Sequence, residues 1–236
     1  MSEHTHGNAV AALILAIGIV VAGYLLGHAL VEARSSERAV SVRGFAEREV
    51  PANLALWPIV FTVTSNDLGD LQRKVDEGTA KVQRFLAADF PAEQVSVSAP
   101  RVQDREAQGM MGNGRQLDRY TAEVAVTVRS NRIDVVRKSI ARTGELVKQG
   151  VAVIRSYDYN TQYLYTDLEK IKPEMIAEAT RDARSAAEQF ARDSGSKVGV
   201  IRNARQGSFT IEDRDQFSPE YKKVRVVTTV DYYLGD

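Results

Sequence analysis

Residues 54–64 read LALWPIVFTVT, and this stretch decides the fold. Apolar and β-branched residues fill it, a composition that predicts a buried β-strand. Pro58 lies in its middle, and proline has no N–H group to donate to a strand ladder. We therefore expect the strand to be bulged, or to lie at a sheet edge, near Pro58.

Two stripes of apolar residues recur at the three- and four-residue spacing of a helix face. They are Leu68, Leu71, Val75, Gly78, Val82 and Phe85, and then Ile176, Ala179, Ala183, Ala186 and Phe190. Each stripe predicts a helix that packs this face against the protein interior. Phe85 and Phe190 are both expected to be buried.

Strands and helices alternate along the rest of the chain. Further strands are predicted over residues 40–50, 95–106, 120–128, 151–165, 198–209 and 224–234, and a further helix over 133–147. The resulting order is ββαββ followed by αβαββ. It predicts an α+β fold with two related lobes of mostly antiparallel sheet and helices packed on one face.

Composition excludes several kinds of active site. The chain has 236 residues, no cysteine, and equal numbers of basic and acidic residues, 31 of each. Thiolate chemistry and cysteine-based metal sites are therefore ruled out, and a nucleic-acid partner is disfavoured because it needs a concentrated basic surface. The histidines, His4, His6 and His28, all precede the predicted globular body. We expect no catalytic, cofactor or metal site, although carboxylate or lysine chemistry is not formally excluded.

The acidic residues Asp213 and Asp215 are the main candidates for a cation site in the body. They alternate with Arg214 in a predicted loop. A solvated run of mixed charge is the favoured interpretation, because the arginine offsets the carboxylates.

Residues 9–31 form an uncharged apolar run, AVAALILAIGIVVAGYLLGHALV. At about 1.5 Å per residue, a helix of this length crosses a hydrocarbon core of about 30 Å. We expect one transmembrane helix that anchors the chain in the lipid bilayer, with residues 1–34 as tail and anchor and 35–236 as a single domain. A cleaved signal peptide is the alternative. Gly23 and Gly27 are a candidate contact between membrane helices, or reflect the usual frequency of glycine there.

Charge leaves the orientation of this anchor open. Arg34 and Arg38 follow the apolar run and no basic residue precedes it. The positive-inside rule would then place the body in the cytoplasm. Translocation of a whole domain can override so weak a bias.

Tyrosines recur at every second position of the predicted strand 151–165. Tyr157, Tyr159, Tyr163 and Tyr165 would project from one face of this strand. Three interpretations remain open: a face covered by the protein's own helices, a subunit interface, or a surface that binds a small ligand.

Residues 40–55, VSVRGFAEREVPANLA, carry a signature that resembles the opening of the SIMPL-domain family. Gly44 and Glu47 are followed by a Pro51–Asn53–Ala55 step into the second strand. An alanine-rich helix around 179–187 strengthens the resemblance, which covers about residues 38–234. Asn53 departs from the aspartate that is frequent in the family, a small change at a turn position.

The resemblance implies an exported bacterial envelope protein that forms ring-like homo-oligomers, has no established enzymatic activity, and is linked to oxidative and envelope stress. It favours a body in the periplasm and an anchor in the inner membrane. The leading hypothesis is a membrane-anchored homo-oligomeric scaffold. The alternative is a periplasmic binding module that uses the tyrosine face for a small aromatic or peptide-like ligand.

Overall fold

The computed structural model describes residues 15–28, 38–109, 117–154 and 159–235. The strands are β1 (Ala39–Pro51), β2 (Leu54–Ser65), β3 (Val95–Val97), β4 (Arg101–Asp104), β5 (Tyr120–Ser130), β6 (Ala152–Ile154), β7 (Gln162–Leu164), β8 (Lys197–Gln206), β9 (Thr210–Asp213) and β10 (Tyr221–Gly235). The helices are α1 (15–28), α2 (Leu68–Ala87), α3 (Ile133–Ala141), α4 (Gly144–Lys148) and α5 (Leu168–Asp193).

The predicted class is confirmed, because antiparallel sheets and helices build a mixed α+β fold. Helix α1 covers only part of the predicted membrane anchor. Among the residues that the structure describes, no helix has both the length and the hydropathy needed to cross a bilayer. The expected boundary between residues 34 and 35 lies outside the described residues.

The chain folds into two compact units that interleave along the sequence. One unit comprises residues 48–170 and 211–224, and the other comprises the described residues up to Glu47 together with 171–210 and 225–235. The sequence predicted two successive lobes instead. The difference arises because β1 pairs with the last strand, β10, a partner that no local pattern indicates.

Strand β2 is central in the sheet of the unit formed by 48–170 and 211–224. The sheet order is β3-β5-β2-β6, with β4 also paired to β5 and β7 also paired to β2. The β2–β5 ladder is continuous and antiparallel, from the pair Ala55–Ser130 to the pair Ser65–Tyr120. This long ladder gives the unit its frame.

The predicted strand 95–106 is divided into β3 and β4. Both pieces pair with β5, and the break falls at residues 98–100. Pro100 has no N–H for the ladder, while Ser98 donates its N–H to the Ala125 carbonyl and accepts the Ala125 N–H with its hydroxyl, at 2.9 and 3.0 Å. The hydroxyl thus satisfies the backbone where the strand is interrupted.

Helix α2 packs the predicted apolar face against β2 and β5. Its N-cap is Asp67, whose carboxylate accepts the Asp70 N–H at 2.8 Å. Leu71, Val75 and Val82 are buried, and Phe85 is only 8% exposed. The expectation that Phe85 lies in the core is confirmed.

In the other unit, α5 packs very closely against β1. A Cβ atom at Gly44 would overlap the Ala179 carbonyl oxygen and the Ala183 nitrogen of α5. The Phe45 N–H donates to the Asp182 carboxylate at 3.0 Å, so the helix also covers part of the β1 edge. Glycine on the strand and alanines on the helix permit this approach.

The predicted buried face of α5 is wrong in its C-terminal half. The buried residues are Met175, Ala179, Ala183, Ala187 and Ala191, at a spacing of four. Phe190 is 51% exposed. Close packing against Gly44 selects alanines for the interface, so the phenyl ring lies outside it.

We predict that Gly44→Ala destabilises the protein by about 3 kcal/mol, because the added methyl group overlaps main-chain atoms of α5 that cannot rotate away. The urea-unfolding midpoint measures the change. Gly144→Ala is the matched control, since a Cβ at Gly144 meets open space. Equal midpoints for the two variants would contradict the close packing.

We also predict that the two helix phenylalanines differ sharply. Phe85→Ala should lower the free energy of unfolding by about 3–5 kcal/mol, because it empties a buried site. Phe190→Ala should change it by about 0.5 kcal/mol, as expected for a surface position. Chemical denaturation of both variants is the measurement, and comparable losses would refute the assigned face of α5.

Candidate functional site

The predicted tyrosine strand 151–165 is not one strand. It is found as β6 and β7, which both pair with β2. Tyr163 lies in β7, is 8% exposed and belongs to the hydrophobic core. For Tyr163, the face is therefore covered by the protein itself.

The other three tyrosines have separate environments. Tyr159 lies between the two strands and is half-buried. The Tyr165 hydroxyl donates to the Asp167 carbonyl at 3.2 Å. Tyr157 lies outside the described residues. The described tyrosines do not form a row on one exposed strand.

The break between β6 and β7 occurs opposite Pro58. Residues 60–62 of β2 pair with β6 and residues 54–56 pair with β7, and among the described residues no partner on this side is found for 57–59. Between the pairs Val60–Ile154 and Leu56–Gln162 the register of this side changes by four residues. The predicted irregularity near Pro58 is confirmed on this side of β2.

The direction of the backbone explains the position of the break. In β5, the Ala125 carbonyl accepts from Ser98, so the backbone groups of Ala125 point away from β2. The backbone groups of the next residue, Val126, therefore point towards β2. Val126 pairs with Ile59, and the nitrogen and carbonyl of the neighbouring Pro58 therefore face the side of β6 and β7. The position that cannot donate thus lies where the described pairs of β6 and β7 leave a gap.

A cleft of about 340 Å³ opens at this break. The described residues that line it are neither acidic nor basic: Trp57, Pro58, Ile59, Val60, Ile140, Thr143, Val153, Ile154, Tyr159, Asn160 and Thr161. The Trp57 ring, which meets Phe90 edge-on at 6.4 Å between centroids, is the only tryptophan of the chain. The cleft is thus apolar at its base and carries a few neutral polar groups.

A second cavity, of about 510 Å³, has a different character. Arg132, Asp134, Arg137 and Glu220 are among its lining residues, and an Arg137–Glu220 ion pair of 3.3 Å crosses it. Burial, and next the negative charge of Glu220, raise the pKa of the nearby Tyr163 hydroxyl. The charges of Arg137 and Glu220 are therefore paired with each other in this cavity.

Strand β8 is the most solvent-exposed strand of the unit that contains α5. Every residue from Gly199 to Gln206 is exposed, with Val200 at 73% and Ile201 at 49%. The sheet order β1-β10-β8 places it at an edge, and among the described residues it pairs only with β10. It also carries Arg202 and Arg205, so its surface is both apolar and basic.

The β9–β10 hairpin of the other unit carries acidic and basic residues in nearly equal numbers. Arg214 bonds to Asp215 at 3.1 Å and Lys222 bonds to Asp213. The Arg214 hydrogen bond lowers the pKa of Asp215. Both carboxylates are thus paired with basic side chains, which agrees with a mixed charge run, although Asp213 ends a strand and does not lie in the loop. Phe217, at the turn, is 85% exposed.

The described residues contain neither a cluster of metal ligands nor a packed contact of Gly23 and Gly27. In the described ranges, no three His, Asp or Glu side chains cluster as metal ligands would. Gly23 and Gly27 lie on α1, and Cβ atoms added there would meet no other atom within 4 Å. The apolar side chains of α1 are exposed, among them Leu15, Val20 and Tyr24.

Comparison with protein families decides the identity of the folded part. Residues 40–232 match the model of SIMPL, a protein of unknown function (DUF541). The chain belongs to the SIMPL family. No curated protein matches it.

Residues of the SIMPL signature have structural tasks in this chain. Gly44 permits the approach of α5, as described above. The Asn53 amide oxygen accepts from the N–H and the hydroxyl of Thr166, at 2.9 and 3.1 Å. A carboxylate oxygen could accept the same two bonds, so asparagine in place of aspartate preserves the contact.

The sequence analysis did not select the exposed residues of β8 or the residues that line the cleft beside Trp57. Val200 and Ile201 adjoin each other, a departure from strict alternation that indicates a strand with two apolar faces. Trp57 beside Pro58 is the sequence signal that could have indicated the cleft, because it places a large aromatic residue next to a proline within a strand. No sequence signal indicated that Ile140 would join it.

Proposed function

We propose that this SIMPL protein is a homo-oligomeric scaffold of the bacterial envelope, which acts by assembly and not by catalysis. The observation that carries the proposal is β8, an edge strand exposed along nearly its whole length. Monomeric proteins usually shorten or cover such strands, because their backbone and apolar side chains invite association. A second copy of the chain is the proposed cover.

Simple edge-to-edge pairing of two β8 strands is disfavoured. The β8–β10 register shifts between Asp231 and Tyr232, and again between Tyr232 and Leu234. Such bulges twist an edge, and Arg202 and Arg205 would repel their counterparts in a second β8. Association through side chains is therefore favoured over a continuous sheet.

The β9–β10 hairpin offers a complementary surface for β8 of the next copy. It presents Phe217 and Ile211 together with Glu212, against the aliphatic and basic residues of β8. Opposite charges guide such contacts, and burial of each large apolar side chain contributes about 1.5–3 kcal/mol. Because the two surfaces differ, the contact is head-to-tail, the type that closes into rings.

The proposal includes an anchor formed by residues 9–31, with the folded part in the periplasm and the anchor in the inner membrane. The uncharged run and the exposed apolar side chains of α1 support it. The family resemblance adds the link to oxidative and envelope stress. Assembly is the proposed activity behind that link.

We expect the anchor to remain uncleaved. N-terminal sequencing of the membrane-bound protein should begin at Met1 or Ser2, whereas a start near Arg34 would indicate a cleaved signal peptide. A reporter enzyme that works only outside the cytoplasm should be active when it is fused after Asp236. A reporter that works only inside the cytoplasm should be inactive there. The opposite pattern of reporter activity would contradict the proposed orientation.

We expect the double variant Val200→Glu/Ile201→Glu to lower the mass of the detergent-solubilised full chain, measured by light scattering. The introduced carboxylates cannot be buried without partners. Leu68→Glu/Val147→Glu is the matched control, since Leu68 and Val147 are exposed to a similar degree on α2 and α4. Gly23→Leu/Gly27→Leu tests the anchor as the alternative driver of assembly.

A mixing experiment tests the head-to-tail geometry. The β8 variant and a Phe217→Glu variant should each be monomeric, whereas their mixture should form a two-chain species through the one intact pair of surfaces. An unchanged multimer in the β8 variant would refute the proposed interface. A wild-type chain of monomeric mass would refute the scaffold itself.

A further inference from the structure

We propose that the face of the β1-β10-β8 sheet opposite α5, the open face, rests on the anionic surface of the bilayer in which the chain is anchored. The open face is formed by the odd-numbered residues 41–47 of β1 and 225–233 of β10, with Lys197, Arg202, Asn203 and Arg205 of β8. Side chains alternate between the two faces of a strand, and α5 packs against the other face. The inference rests on the anchor proposed for residues 9–31 and not on the proposed assembly.

The side chains of the open face are accessible to solvent. On β1 the odd-numbered residues 41–47 are exposed, and Phe45 is 53% exposed. On β10 the odd-numbered residues 225–233 are exposed or half-buried, whereas the even-numbered residues 226–232 are buried. Antiparallel sheets commonly leave one face open to water. Exposure alone therefore identifies no partner, and the charge of the face has to do so.

The charge of the open face indicates an anionic partner. Its basic residues are Arg43, Lys197, Arg202, Arg205 and Arg225, and its acidic residues are Glu47 and Asp231. Within the described part of the chain, none of the four arginines forms an ion pair. On α5, by contrast, Arg184 pairs with Glu188 at 2.9 Å. Positive charge that the described fold does not neutralise attracts a surface of opposite charge.

Aromatic rings orient two of these arginines. The central guanidinium carbon of Arg225 lies 5.4 Å from the centre of the Phe45 ring, and that of Arg202 lies 5.8 Å from the centre of the Tyr233 ring. A ring contacts the flat side of the guanidinium group, so the N–H groups at its edge can still donate to phosphate oxygens. Phosphate is the anionic group of a phospholipid, which makes a phospholipid surface a suitable partner.

The short connection to the proposed anchor favours a bilayer over other anions. Residues 32–38 join the anchor to β1, and seven residues span at most about 25 Å. The bilayer is thus held at a high effective concentration near the open face, so weak contacts are sufficient. Neither of the two cavities described above belongs to this unit, so nothing described here encloses a small anion. A second copy of the same face is disfavoured, because its arginines would repel these.

The absence of cysteine permits a direct test on the full chain. A fluorophore is attached to a single cysteine, introduced by Ser41→Cys on the open face or by Ser185→Cys at an exposed position of α5 as the matched control. The labelled protein is reconstituted into phosphatidylcholine vesicles that carry a spin-labelled lipid headgroup, with or without about 30% phosphatidylglycerol.

We expect the lipid spin label to quench the fluorophore at position 41 about twofold more strongly when phosphatidylglycerol is present. The quenching at position 185 should be weak and independent of lipid charge, because α5 lies on the other side of the sheet. Sodium chloride at about 0.5 M should remove the difference at position 41, because it screens charges beyond a few ångströms.

Charge variants identify the residues responsible. In the Ser41→Cys protein, Arg43→Gln/Arg225→Gln should remove about half of the effect of phosphatidylglycerol, because two of the basic groups are lost. Arg181→Gln/Arg184→Gln, at exposed positions of α5, is the matched control and should preserve the effect. Neither pair lies on β8, so the proposed assembly surface is unchanged. The melting temperature and oligomer mass of each variant confirm that folding and assembly are intact.

Several results would overturn the inference. Equal quenching at positions 41 and 185 would show that the open face has no preferred contact with lipid. Quenching at position 41 that ignores phosphatidylglycerol, or that survives in Arg43→Gln/Arg225→Gln, would show that the arginines do not make the contact. Shielding of position 41, but not of position 185, from iodide in detergent micelles would assign the open face to a second copy of the chain.

Failure of the anchor is a separate result. Extraction of the protein from the vesicles by alkaline carbonate would refute residues 9–31 as a membrane span. If quenching at position 41 still depended on phosphatidylglycerol before this extraction, the contact of the open face with lipid would stand without the anchor. A protein that resists extraction but shows no such quenching would retain the anchor and refute the contact.

Discussion

The N–H group that Pro58 lacks lies at the point where the register on one side of the larger sheet changes. Residues 54, 56, 60 and 62 present their backbone groups to β6 and β7, and among the described pairs of this alternating series Pro58 has no partner. On the opposite side the β5 ladder passes Pro58 without interruption. The strand thus remains central while one side of it opens, and the opening forms without loss of a backbone donor.

A second constraint, of shape, governs the other unit. Gly44 and the alanines of α5 allow main chain to approach main chain, and any larger side chain at the contact would separate helix from strand. The two constraints have different chemistry. One concerns a hydrogen bond that cannot form, and the other concerns volume that cannot be accommodated.

Local patterns predicted the fold well where one face of an element decides its packing. The stripe of α2 was found as expected from Leu71 to Phe85, since large side chains such as Phe85 select the buried side, whereas Leu68 at its start is exposed. On α5 the same reasoning failed, because it favoured Phe190 over Ala187 and Ala191, and only contact with Gly44 reveals the preference for alanine. The family, too, was correctly recognised from residues whose tasks are structural.

The position of β10 has a consequence for the order in which this protein can form. It is the last strand of the chain, yet it lies between β1 and β8 and also pairs with β9. Synthesis must therefore proceed past residue 221 before this sheet gains the strand that pairs with both β1 and β8. During synthesis the early strand β1 lacks its native partner, and non-local pairing of this kind folds slowly. The chain therefore stays partly unfolded until β10 has been synthesised.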